Sequence, residues 1–181
     1  NEPSKEGDYM TYIPNIKNTY LELDYMFYST IETKENTQSK VLYLNEQHAT
    51  NLGIPVEYLK SEEGLLFLSG NKKLDNAPFA QAYVGHQFGH LSMLGDGRAK
   101  LIGELHHHNT ITDIHLKGSG RTPYSRRGDG KATLKSVLKE YIYSEAMHYL
   151  NVPTTRTLAV LKTNEKVIRE QPNDGAILVR T

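Results

Sequence analysis

The chain has 181 residues, 21 Lys and Arg against 21 Asp and Glu, no cysteine and 38% apolar residues. That is enough for one domain, or one lobe of a larger protein, with a real core. Cancelling charge leaves no molecule-wide field to draw in nucleic acid or an anionic membrane, and zero cysteines exclude disulfides, thiolate metal sites and a cysteine nucleophile.

No apolar run reaches membrane-spanning length, and the polar start, Asn1 to Asp8, lacks the layout of a signal peptide. Both ends read as cut: there is no initiator methionine, and the apolar run Gly175 to Thr181 reads as a buried strand that should lead onward. A piece of a longer protein is expected, with parts of any active site absent.

Residues 1 to about 38 mix aromatics (Tyr9, Tyr12, Tyr20, Tyr25, Phe27, Tyr28) with polar residues, and the aromatics are expected to cover a neighbouring core. Glu32 to Ser39 reads as a loop. From Val41 to Ser69, apolar clusters broken by Gly53, Pro55 and Gly64 predict two or three small helices, one opening near Asn45. A small helical extension over 1–77 followed by a second unit over 78–181 is the expected organisation.

In that second stretch, residues 99–105 and 110–116 read as two strands joined by a polar turn holding His106, His107, His108 and Asn109. From Lys131 to about Leu150 apolar residues recur on one helical face, stopped by Asn151 and Pro153. Residues 157–161, 167–169 and 176–179 then read as three further antiparallel strands. The fold class is α+β, an antiparallel sheet with one long helix.

Between the second strand and the helix lies Lys117-Gly-Ser-Gly-Arg-Thr-Pro-Tyr-Ser-Arg-Arg-Gly-Asp-Gly-Lys131. Glycines at 118, 120, 128 and 130 allow close approach of backbone N–H groups to a ligand, while Lys117, Arg121, Arg126, Arg127 and Lys131 offer charge to a polyphosphate. A solvated basic loop is the competing reading. The order of elements, with the glycine turn Leu94-Gly-Asp-Gly-Arg-Ala99 before the first strand and a lysine on the second, is that of the nucleotide-holding N-lobe of a protein kinase. In that template a glutamate on the following αC-type helix pairs with the lysine. Periodicity leaves Glu140 and Glu145 both open and leans slightly to Glu145, which falls within the apolar stripe and would need a partner there. Arg98 and Arg180 suit phosphate oxygens better than an adenine face, which suggests a nucleotide seated in reverse, terminal phosphates deep.

These residues resemble the selenoprotein O family, bacterial and mitochondrial protein adenylyltransferases with a kinase-like fold. The resemblance rests on Tyr83-Val-Gly-His-Gln-Phe-Gly89, Leu94 to Ala99, Leu116 to Arg126, Gly128-Asp-Gly130, Glu140-Tyr141, Ser144-Glu-Ala-Met147 and Pro153-Thr-Thr-Arg156, and it is dense from residue 78 onward. It implies transfer of AMP from ATP to serine, threonine or tyrosine hydroxyls of proteins, with ATP inverted relative to a kinase. It further implies ATP contacts at Gly95, Gly97, Arg98, Lys117, Asp129, Gly130 and Arg180, with Glu140 as the partner of Lys117. The catalytic aspartate and the ligands of a Mg2+ or Mn2+ ion would fall in a C-lobe beyond residue 181, so no catalytic or metal-binding residue is assigned to this stretch. Bacterial cytoplasm, or the mitochondrion in a eukaryote, is the implied compartment. An ordinary phosphotransferase lobe and a non-catalytic basic-loop binding module are the alternatives; no nucleic-acid or membrane partner is expected.

Other residues have plainer readings. His106, His107 and His108 read as a solvated turn, His86 and His90 as packing and hydrogen bonding near the glycine turn, and Asp96 as an Asx turn. Arg121, Arg126 and Arg127 read as orienting the loop or meeting another lobe, and Ser119, Thr122, Tyr124 and Ser125 as candidates for self-modification.

Overall fold

Alternation of apolar residues with period two builds a sheet whose two faces pack on different helices. The structure, a computed structural model, describes residues 12–32, 38–72, 74, 78–87 and 89–181. Tyr9, residues 33–37 of the expected loop and Phe88 lie outside them.

The elements run β1 (Ile16–Lys17), β2 (Tyr28–Thr30), β3 (Lys40–Leu44), α1 (Glu46–Asn51), α2 (Val56–Lys60), α3 (Glu62–Ser69), β4 (Phe79–Gln87), β5 (His90–Gly95), β6 (Ala99–His107), β7 (Thr110–Lys117), β8 (Ala132–Thr133), α4 (Leu134–Tyr149), β9 (Thr157–Ile168) and β10 (Pro172–Arg180). The sheet order is β2-β4-β6-β7-β10-β9-β3, with β1 on β6, β5 on β4 and β8 on β10. Every pairing among the described residues is antiparallel.

Helices α1–α3 cover one face. Their Ala49, Leu52, Tyr58, Leu59, Phe67 and Leu68 share a core with Ile114 and Leu116 of β7 and Ile177 and Val179 of β10. The intervening residues point the other way, where Val160, Ala176 and Leu178 meet Val137 of α4, flanked by Leu134, Leu138 and Tyr141. Side-chain oxygens cap α1, α3 and α4: Asn45 accepts from His48 N, Ser61 from Gly64 N and Thr133 from Ser136 N. α4 ends in a Schellman turn, with Asn151 at φ 59, its N–H on His148 O and that of Val152 on Met147 O. The expected stop at Asn151 therefore has a defined geometry.

Three expectations need correction. The stretch before residue 78 is not only helical, because β1, β2 and β3 pair with β6, β4 and β9 of the later chain. β3 escapes a helix-oriented reading because Val41, Leu42, Tyr43 and Leu44 form an unbroken apolar run, which has no period to read. Residues 157–161 and 167–168 belong to one strand, with Arg169 just past its end, since the polar centre of β9 continues as a hairpin arm paired with the start of β10. β4 and β5 form a hairpin ahead of the glycine turn, and His106 and His107 belong to the end of β6, leaving His108 in the turn at φ 50. Of the early aromatics, Tyr20 and Tyr28 lie against Phe79 and Tyr12 against Tyr58, whereas Tyr25 and Phe27 are exposed.

One polar network ties α1, α4 and β9 together at an end of the sheet. Glu145 accepts from Arg156 Nε (2.8 Å) and Nη2 (2.7 Å) and from Asn45 Nδ2 (3.0 Å). Those hydrogen bonds, Arg156's first, hold the Glu145 carboxyl below its ordinary range despite burial. His48 is buried beside this cluster, with Nε2 2.7 Å from Thr181 Oγ1, and burial first, then the Arg156 charge, lowers its pKa to about 4. A histidine depressed in this way is charged more readily unfolded than folded, so its contribution to stability is complete above about pH 6.5 and is lost as pH falls toward about 4. Denaturant titrations across that window should show a loss of about 2 to 3 kcal/mol, and His48→Gln should flatten the profile there.

Candidate functional site

Strand parity decides which cations meet. Because Ile114 and Leu116 enter the core under α1–α3, His115 and Lys117 face α4; on β10, Leu178 and Arg180 do the same. Lys117 stands opposite Leu178 and Arg180 opposite His115, so the two cations lie on adjacent strands of one face. On α4, Glu140 is one turn from buried Val137 and is directed at the sheet. Its Oε2 takes the Lys117 ammonium and its Oε1 accepts from Arg180 Nη1 at 2.9 Å. Glu145, toward which periodicity leaned, is instead the anchor held by Arg156. All three side chains of the Lys117–Glu140–Arg180 group remain 25–30% exposed, open to a ligand. Arg180 Nε and His115 Nδ1 are buried without a hydrogen-bond partner among the described residues.

The β4–β5 hairpin passes over this face. Burial first, then the Asp96 carboxylate, pushes the Tyr83 phenol up, with the Arg180 charge acting against it. Burial raises Asp96 as well, opposed by the Gln81 N–H that its Oδ2 accepts at 3.0 Å. Asp96 thus ties the glycine turn back to β4 rather than closing an Asx turn.

The turn itself is pinned. Thr122 Oγ1 donates to Asp96 O at 2.6 Å, Ser125 Oγ to Gly97 O at 2.6 Å, and Thr122 N–H to Ser125 Oγ at 2.8 Å. Gly95 and Gly97 are required by close approach: a Cβ on Gly97 would lie 2.9 Å from Tyr124 O, and one on Gly95 would run into the Tyr124 ring. The Tyr124 hydroxyl is 3.0 Å from Ser29 Oγ. Thr122 and Ser125 are buried and Tyr124 is engaged, so these hydroxyls serve the loop, and only its opening would release them for self-modification.

Between the turn and the 121–130 loop lies a cleft of about 710 Å³. It gathers five of the predicted residues, Gly95, Gly97, Arg98, Asp129 and Gly130, with apolar surface from Leu94, Pro123 and Tyr124. Gly130 is at φ 66 and packs on the Gly120 backbone, where only glycine fits. Lys117, Glu140 and Arg180 do not line this cleft; they sit beside it, joined through the Gly118 N–H to Arg98 O bond of 2.9 Å.

Arg98, Arg126, Arg127 and Arg169 make the cleft basic, and Asp129 is the acid among its described lining residues. Arg121 orients the loop by donating to Arg126 O at 3.0 Å. Arg169, which carries no motif, pairs with Asp129 at 2.8 Å; only the β9–β10 hairpin brings it there. His86 and His90 are exposed on the hairpin instead of packed, because β5 is an edge strand there. No group of three or more His, Asp or Glu among the described residues could hold a metal ion, so these residues alone do not fit a metal site. Among the described residues, no helix is long and apolar enough to cross a membrane.

Comparison with known proteins gives one family, described as "Protein adenylyltransferase SelO", matching residues 11–181. Curated relatives include the protein nucleotidyltransferases YdiU of Clostridium botulinum (strain Alaska E43 / Type E3), 55% identical, and of Bacillus cytotoxicus and Brevibacillus brevis, each 54% identical, all over 168 residues. Each match covers 92% of this chain and 34% of the relative, so the chain spans about a third of the length of these relatives.

The pinning hydroxyls can be tested directly. Thr122→Val leaves Asp96 O without its donor and should cost about 1 to 2 kcal/mol of stability. Hydrogen–deuterium exchange should accelerate at residues 95–98 while α1–α3 stay protected.

Proposed function

The chain belongs to the SelO family of protein adenylyltransferases, and on that premise we propose that it is the nucleotide-holding part of a protein nucleotidyltransferase that moves AMP from ATP to protein hydroxyls. The observation that carries this reading is the sharing of Glu140 between Lys117 and Arg180 beside a pinned glycine turn. A carboxylate that fixes two cations on one sheet face builds a rigid receptor for the terminal phosphates of a nucleotide.

ATP then lies reversed relative to a kinase. The β- and γ-phosphates meet Lys117, Arg180 and Arg98, and the base occupies the cleft walled by Leu94, Pro123 and Tyr124. Arg180, near the end of the last strand, stands where a kinase lobe would receive adenine, and its buried, partnerless Nε favours an anion there. Residues 78–181 form the kinase-like N-lobe in this reading, and the described part of the preceding stretch adds β1, β2 and β3 to its sheet and α1–α3 to one face of it.

In the transfer, a serine, threonine or tyrosine hydroxyl oxygen attacks the α-phosphorus and the bond to the β-phosphate oxygen breaks. Pyrophosphate leaves with the charge that Lys117, Arg98 and Arg180 stabilise, and Glu140 keeps the first and third of these aligned. The hydroxyl proton goes to a base beyond residue 181, where the family resemblance also places the ligands of Mg2+ or Mn2+. That ion would supply further charge stabilisation. Protein substrates in a bacterial cytoplasm follow from the same reading.

The full-length protein, incubated with ATP labelled on the α-phosphate, should become labelled, and Lys117→Ala should reduce this by about a hundred- to a thousandfold. Label carried only from the γ-phosphate would make it a phosphotransferase instead. Arg180→Ala should weaken ATP by at least tenfold more than adenosine; equal losses would refute the inverted pose.

A further inference from the structure

The outer side of α4 changes chemistry halfway along the helix. Each helical residue turns the chain by about 100°, and the outward arc of the first half holds Lys135, Ser136 and Lys139, all exposed. In the second half the same arc, roughly 160° wide, holds Ile142, Tyr143, Met147, Tyr149 and Leu150, which are 40–76% exposed. Val152, just past the helix, is exposed as well.

The inner side changes in the opposite sense. Its first half buries Val137, flanked by Leu134, Leu138 and Tyr141. Its second half is polar: Ser144 Oγ lies 3.1 Å from Thr157 Oγ1, and Glu145 is held by Arg156 and Asn45. A helix end that met water alone would carry its polar side chains outward and its apolar ones toward the sheet. Large apolar side chains gathered on one arc form a patch rather than scattered exposed residues, and such patches mark contact surfaces.

The neighbourhood of the patch narrows what covers it. Thr181 and Arg156 exchange backbone hydrogen bonds of 2.9 Å in both directions, so chain that continues from Thr181 emerges beside the α4–β9 connection that holds Val152. The match covers 34% of the curated relatives, so about two thirds of the length of such a protein lies outside it.

We propose that the apolar second half of α4, together with Val152, is the docking face for the part of the full-length chain that follows Thr181. That part packs an apolar surface on Ile142, Tyr143, Met147 and Leu150 and clamps the end of α4 between itself and the sheet. The first half of α4, farther from Thr181, keeps its lysines in water.

The test is photocrosslinking in the purified full-length protein, with p-benzoylphenylalanine in place of Tyr143 or of Tyr149, both exposed aromatic positions that tolerate a larger ring. Each should crosslink to peptides that follow residue 181 and, in a mixture of isotopically heavy and light protein, only to peptides carrying the same label. Heavy–light crosslinks, which would mean a second copy on this face, crosslinks confined to residues 1–181, or no crosslink at either position would each overturn the proposal. A second measurement uses Ile142→Lys combined with Met147→Lys. Lysine forms helix at least as well as isoleucine and about as well as methionine, and it is favoured near a helix C-terminus, so on a face open to water this change leaves thermal unfolding where it was. Beneath a covering segment it buries two charges, and the unfolding midpoint of the full-length protein should fall by more than about 5 °C. An unchanged midpoint would count against the docking face.

Discussion

One carboxylate, Glu140, holds two cations that reach the same sheet face from neighbouring strands, and the rest of the site depends on it. Lys117 and Arg180 side by side would repel each other and splay; with Glu140 between them they become a fixed pair. Glu140 can serve only if α4 docks at the right height. Val137 sets that docking through the smaller core, and the Glu145–Arg156 pair with Asn45 secures the helix one turn further on. The helix anchor thus sets the geometry of the proposed phosphate receptor.

The second constraint is rigidity of the glycine turn. A glycine-rich segment is entropically costly to order, yet here its carbonyls are tied by Thr122 and Ser125 and its Cα atoms press on Tyr124. In the proposed reading, the groups that would meet a ligand's phosphates are therefore in place before it arrives, which spares the ordering cost at binding. Two loops far apart in the chain lock each other, and neither would hold its shape alone.

Much of this was legible in the residues. The 94–99 turn, the strand lysine and the amphipathic helix stopped at Asn151 all show local signals: glycines, alternation, helical periodicity and a cap. The site residues came from family motifs rather than periodicity, which leaned to Glu145 because a carboxylate in an apolar stripe signals a partner without naming it. The partner is Arg156, an anchor rather than a phosphate contact. β3 and the polar middle of β9 were unreadable for a related reason: an apolar run has no phase, and a hairpin arm beyond the core needs no apolar face.

Sequence alone determined the elements with a local physical cause: capped helices, alternating strands, glycine turns and the reservoir of arginines and lysines. Tertiary structure alone decided which of those charges meet. Register placed Lys117 and Arg180 on the same face, α4's docking chose Glu140 to join them, and the β9–β10 hairpin carried Arg169 to Asp129 across 40 residues of chain. These are long-range choices, because a one-residue slip in any strand pairing would turn each of those side chains to the opposite face while leaving every local signal unchanged.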